Sequence, residues 1–74
     1  MILIPVKSSN ISAAGHENNT LRIQFSNGTE YDYKDVSSET FNDFMESESQ
    51  GKFFHKNIKG KFSGTKNEKG SNDG

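Results

Sequence analysis

Apolar and polar side chains alternate through the stretch LRIQFSNGTEYDY, residues 21–33. Leu21, Ile23 and Phe25 are separated by Arg22 and Gln24; Tyr31 and Tyr33 are separated by Asp32 and flanked by Glu30 and Lys34. A period of two belongs to half-buried strands, so the pattern predicts a hairpin turning at Asn27-Gly28. Loop length sets its register. A two-residue turn would place Phe25 opposite Glu30 and Ile23 opposite Asp32, mixing acids into the apolar face. A three-residue loop of Ser26, Asn27 and a left-handed Gly28 instead pairs Ile23 with Tyr31, Leu21 with Tyr33, Arg22 with Asp32 and Gln24 with Glu30. The second register segregates apolar from charged side chains, and it is the one predicted.

Upstream, a weaker alternation puts Ile11, Ala13 and Gly15 on one side and Ser12, Ala14 and His16 on the other, with a turn at Glu17-Asn18-Asn19. This predicts a three-stranded antiparallel meander whose apolar face is extended by Ile11, Ala13 and Gly15. Residues 2–6 are expected to lie extended against the body, with Pro5 confining them to an edge; Ile2, Leu3 and Ile4 are also candidates for self-association.

The period changes after Val36. Phe41, Phe44 and Met45 share a helical face, while Glu39, Asp43, Glu46 and Glu48 fall mostly on the exposed side. Ser37 is a suitable N-cap, and Val36 and Phe41 have hydrophobic-staple spacing. Burying the three apolar side chains is worth about 1.5–3 kcal/mol each. Ser49-Gln50-Gly51 is expected to close this helix, with Gly51 left-handed after its last turn. Phe54, Ile58 and Phe62 then recur at spacing four, predicting short helical turns interrupted by Gly60. From Ser63 onward no apolar residue occurs, so residues 63–74 are expected to be a disordered tail.

Composition narrows the reading. A chain of 74 residues with 28% apolar content allows one small domain whose core must rest on its aromatic side chains. With no cysteine, disulfides, thiolate metal sites and a cysteine nucleophile are excluded. The apolar opening is too short for a signal peptide, no segment is long enough to span a membrane, and a cytoplasmic protein is expected. His16 and His55 have no carboxylate at ligand spacing, so neither a metal nor another cofactor is expected. Without a nucleophile elbow, a P-loop or paired carboxylates, the chain reads as non-enzymatic.

Net charge is −1, but it is unevenly distributed. Residues 29–50 carry seven acids and one lysine, whereas Lys52, His55, Lys56, Lys59 and Lys61 follow with no acid between them. Interleaved with Phe53 and Phe62, these cations suit phosphate neutralisation beside an aromatic that stacks on a base; a solvated face balancing the acidic helix is the other reading. Phe53 or Tyr33 is the candidate stacker, Phe53 because Phe54 shares the buried spacing of Ile58 and leaves it on another face. The predicted hairpin register directs the Tyr31 and Tyr33 rings to the core, with their hydroxyls available at a pocket edge. Ser49 and Gly51, at the acid-to-base boundary, are candidate anion contacts.

Four groups of residues, taken in order, resemble a known family. They are Pro5-Val6-x-Ser8-Ser9-x-Ile11, Leu21-x-Ile23-x-Phe25-x-x-Gly28-x-x-Tyr31-x-Tyr33, Asp35-Val36, and Ser49-x-Gly51-x-Phe53-Phe54-x-x-x-Ile58. The pattern is similar to that of the KTSC domain, named for a C-terminal domain of some lysyl-tRNA synthetases and found also as small stand-alone proteins of bacteria and their phages. The chain departs from it at Ala14-Gly15-His16, where Ile-Gly-Tyr is frequent, and at Ser37, where proline is frequent.

The association with a synthetase implies RNA binding. The expectation is therefore an α+β binding module over residues 1–62, a three-stranded sheet packed by one helix and a short C-terminal helical segment. Its partner is expected to be RNA or, in the alternative, a host protein or small nucleotide engaged by a phage-type accessory protein.

Overall fold

The computed structural model describes residues 1–67. Five antiparallel strands form one sheet in sequential order: β1 (Ile4–Pro5), β2 (Ile11–Glu17), β3 (Thr20–Phe25), β4 (Glu30–Lys34) and β5 (Gly64–Asn67). Helix α1 (Ser38–Glu46), the short helix α2 (Gln50–Phe53) and a π-helical turn (Phe54–Ile58) lie between β4 and β5. The fold is α+β, as expected, but the sheet has five strands and not three.

The central hairpin adopts the predicted register. Ile23 faces Tyr31, Leu21 faces Tyr33, Arg22 faces Asp32 and Gln24 faces Glu30. The Phe25 amide donates to the Thr29 carbonyl at 2.8 Å, so residues 26–28 form the loop, and Gly28 sits at φ 93°. Only a residue without a Cβ adopts that conformation readily. On the polar face Arg22 makes two parallel bonds to Asp32, at 2.7 and 2.9 Å, and Gln24 donates to Glu30 at 3.1 Å. The β2–β3 connection is a two-residue turn with Asn18 and Asn19 both at positive φ, a conformation asparagine tolerates.

Strand β2 corrects the expected alternation. Ile11 lies opposite Phe25, but Ala13 lies opposite Gln24, so Ser12 is an extra residue in a bulge. Since side chains alternate with period two, one inserted residue exchanges the faces. Ala14 and His16 therefore share the helix-side face with Ile11, paired with Ile23 and Leu21, while Ala13 and Gly15 turn to the polar face. There the N-terminal residues cover them: a Cβ on Gly15 would sit 2.5 Å from the Ile2 carbonyl oxygen. Pro5 lies in edge strand β1, as its missing amide requires.

Helix α1 starts as predicted, with Ser37 Oγ accepting from the Thr40 amide at 3.2 Å. Phe44 is fully buried and Phe41 and Met45 pack on the same cluster. The core joins these to Ile11, Ala14, Leu21, Ile23, Tyr33, Val36, Phe54 and Ile58. His16 completes the seam: its Nε2 lies 2.6 Å from the Val36 carbonyl, and its ring stacks on Phe41 at 5.3 Å.

Two boundaries differ from expectation. Helix α1 ends at Glu46, and Ser49 begins α2 by accepting from the Lys52 amide at 3.4 Å; Gly51 is inside that helix and not in a left-handed cap. In the segment expected to be a tail, residues 64–67 pair with β4 as β5, from Tyr33 opposite Gly64 to Glu30 opposite Asn67. The exposed backbone of the β4 edge supplies these bonds, so β5 needs no apolar side chain. The remainder of that expectation, residues 68–74, lies outside the described residues.

Candidate nucleic-acid interface

Two local devices position the groove that runs along one side of the molecule. Residues 7–10 are fixed at both ends: the Val6 amide donates to Ser12, while Ser26 donates through its amide to the Asn10 carbonyl at 2.8 Å and through Oγ to the Ser9 carbonyl at 2.9 Å. Opposite them, Ser47 Oγ accepts from the Ser49 amide at 3.2 Å and donates to the Ser49 carbonyl at 3.1 Å, and Gln50 Nε2 caps the Met45 carbonyl. Loop and corner are therefore held before any ligand arrives.

Beyond α2 the chain widens into the π turn, where the Lys59 amide donates to the Phe54 carbonyl at 2.8 Å. Such turns are frequent at functional sites. Phe54 and Ile58 are buried by it, whereas His55 and Lys59 border the groove.

The groove consists of three adjoining clefts, each bordered by His55. A polar cleft of about 400 Å³ lies between Lys7, Ser8 and Ser9 on one side and Ser49, Gly51 and Lys52 on the other. A middle cleft contains Asn10, Phe25 and Asn27. An aromatic cleft of about 240 Å³ is formed by Phe25, Tyr31, Tyr33 and Phe54, with Lys59 at its rim. Phe54 sits edge-on to Phe25 and Tyr33, at 5.5 Å from each, while Tyr31 stacks on Tyr33 at 6.3 Å. Tyr33 is only 7% exposed, and Tyr31 is half-buried. Burial, reinforced by Tyr31 beside it, pushes the Tyr33 hydroxyl above the ordinary tyrosine value.

Charge along the groove is mostly positive. Lys7, Lys52 and Lys59 line it, and Glu48 is its acid. No carboxylate of a described residue lies in ion-pair contact with Lys7, Lys52 or Lys59.

Of the residues expected at a binding site, Tyr31, Tyr33, Ser49, Gly51, Lys52, His55 and Lys59 come together here. Lys56 and Lys61 are exposed but border none of the three clefts. Phe53 is half-buried and meets Phe44 edge-on at 6.0 Å, on a different side from Phe54, and it borders none of the three clefts. Lys7, Ser8, Ser9, Asn10 and Phe25 were not anticipated as site residues. Ser8-Ser9 and Phe25 were visible as motif residues, but nothing local places them beside residues 49–59. Among the described residues no group of three or more His, Asp or Glu side chains converges as a metal site, and no helix is long and apolar enough to cross a membrane.

A five-stranded antiparallel sheet covered by two helices, with a preformed polar and aromatic groove, defines a small α+β module. Residues 7–62 match the family model of the KTSC domain, and the chain belongs to that family. A protein of Tsukamurella paurometabola is 38% identical over 60 residues, covering 78% of this chain and 90% of its own. The crystal structure of a KTSC domain protein from Yersinia pestis superposes with a TM-score of 0.84 at 39% identity, covering 89% of this chain and 96% of that one.

Proposed function

We propose that this KTSC domain is a non-catalytic, cytoplasmic module that binds single-stranded nucleic acid, RNA in preference to DNA. One observation carries the reading: Lys7, Lys52 and Lys59, without carboxylate partners among the described residues, border clefts that share His55 with a cleft lined by aromatic rings. Single strands offer phosphates to lysines and unstacked bases to aromatic faces, and both are needed for sequence-tolerant binding. Duplexes hide their base faces and would engage only the lysines. The family's association with lysyl-tRNA synthetase supports RNA as the strand.

Fluorescence anisotropy of the full chain with a ten-nucleotide single-stranded RNA, at two salt concentrations, tests this. Lys7, Lys52 and Lys59 at phosphates would give a log Kd against log salt slope of about 2, at roughly 0.7 per phosphate for single strands. Absent affinity, or affinity indifferent to salt, would refute the reading. A free small nucleotide is the second reading, favoured by the bounded shape of the aromatic cleft. It predicts that a mononucleotide binds as tightly as the oligomer.

A further inference from the structure

We infer that Asn27 is a self-modification site: the Gly28 amide nitrogen attacks its carboxamide and converts it, through a cyclic imide, to aspartate and isoaspartate, which changes the charge and the shape of the middle cleft. The step needs no ligand and is independent of the nucleic-acid reading.

Asn27 is the chain's single asparagine followed by glycine. Attack on a carboxamide by the next residue's nitrogen is hindered by that residue's side chain, and glycine has none. Asn10 and Asn57, which are likewise exposed, both precede isoleucine, whose branching at Cβ obstructs the same approach. The loop tip is also open. Asn27 and Gly28 are exposed, and a Cβ placed on Gly28 would meet nothing within 4 Å, so water and hydroxide reach both residues.

The side chain already folds in the direction of the reaction. Asn27 Oδ1 accepts from the Thr29 amide at 2.9 Å, an Asx turn. The ring closed by that bond contains both Cγ of Asn27 and the nitrogen of Gly28, the two atoms that must join, and the donated hydrogen draws electron density from Cγ. The opposing contact is the bond from the Gly28 amide to the Phe25 carbonyl, 2.9 Å long, which must open before the nitrogen can lose its proton. An exposed bond at a loop tip opens readily.

Hydroxide takes the Gly28 amide proton, the nitrogen's electron pair forms a bond to Cγ, and the bond from Cγ to Nδ2 breaks, releasing ammonia once water has returned a proton. Water then adds to either carbonyl of the imide. Cleavage at Cγ gives aspartate, and cleavage at the main-chain carbonyl gives isoaspartate. The sum consumes water and releases ammonia, with nothing oxidised or reduced.

The two products differ in what they do to the loop. Aspartate keeps the chain path and adds a carboxylate to the cleft that Asn10 and His55 border. Isoaspartate adds the same charge, lengthens the main chain by a methylene between residues 27 and 28, and turns Oδ1 into the linking carbonyl. The loop that closes with the Phe25 amide on the Thr29 carbonyl then no longer matches its strands. Ser26, tied to Ser9 and Asn10, lies before the insertion and keeps its bonds.

The full chain carries the test, incubated at mildly alkaline pH in water labelled with heavy oxygen. Peptide mass spectrometry is expected to find the label at residue 27, in both products, and none at Asn10 or Asn57. The rate should rise in proportion to hydroxide and stay within about tenfold of that of the urea-unfolded chain. In the isoaspartyl product the Phe25 amide should lose at least about tenfold in hydrogen-exchange protection, whereas Asn27→Asp, which adds the charge without the methylene, should keep it. A folded chain slower than that limit, or equal labelling of Asn10 and Asn57, would overturn the site. Equal protection of Phe25 in the isoaspartyl product and wild type would overturn the remodelling of the loop.

Discussion

The Tyr33 ring lies directly over Gly64, its cross-strand partner on β5, so closely that a Cβ on Gly64 would overlap the ring. An aromatic ring covering an edge glycine holds that strand in register without any apolar side chain of its own. Gly64 is thus required by close approach and not by backbone conformation.

Gly64→Ala is expected to displace Tyr33 or detach β5, lowering stability by about 1–3 kcal/mol as other overpacked sites do. Hydrogen exchange checks the mechanism: amides of residues 64–67 should lose protection before those of β3. Unchanged stability and unchanged protection would contradict the ring contact.

Tyr33 also predicts an alkaline limit. Burial and Tyr31 hold its folded-state value above the ordinary 10.0, so the folded state keeps the proton that the unfolded chain releases. Its contribution is complete below about pH 10 and is lost as the pH rises through the folded value. Tyr33→Phe should therefore lose less stability than wild type between neutral pH and pH 11, read by thermal melts across that range.

His16 ties the sheet to the start of α1, through the Val36 carbonyl and the Phe41 ring. Removing it in His16→Ala leaves that carbonyl without its partner and Phe41 without its stack, a loss of about 1–2 kcal/mol. His16→Phe, keeping only the stack, should recover part of it. Urea denaturation of the three proteins separates the two contributions.

Where a pattern is local, sequence and structure agree. Leu21, Ile23, Tyr31 and Tyr33 dictate the hairpin register, because one alignment alone keeps Asp32 and Glu30 off the apolar face. Ser37, Val36 and Phe41 mark the start of α1 for a similarly local reason, the capping of its first turn. In β2 the alternation failed at Ser12, since a bulge is defined by what lies opposite and Ser12 carries no mark of being unpaired. Ser49 was read as closing a helix that it opens: serine caps the next turn wherever the backbone happens to leave the last one.

The candidate site divides along the same line. Lys52, His55 and Lys59 were legible as a basic run, and Tyr31 and Tyr33 as rings near a pocket edge. Spacing separated Phe53 from Phe54, and the packing of α2 shows what each meets, Phe44 for the first and Phe25 with Tyr33 for the second.

By itself, the sequence determined the strand and helix periods, the hairpin register and the α1 cap, all consequences of contacts between near neighbours, and its ordered motifs pointed to the KTSC family. Only the tertiary structure decided that residues 4–5 and 64–67 complete the sheet, because backbone hydrogen bonding at an edge is almost blind to side chains. It alone decided that Ser8 meets Gly51 and that Phe25 meets His55. Those meetings depend on how loops fold across the sheet, at sequence separations over which no local pattern acts.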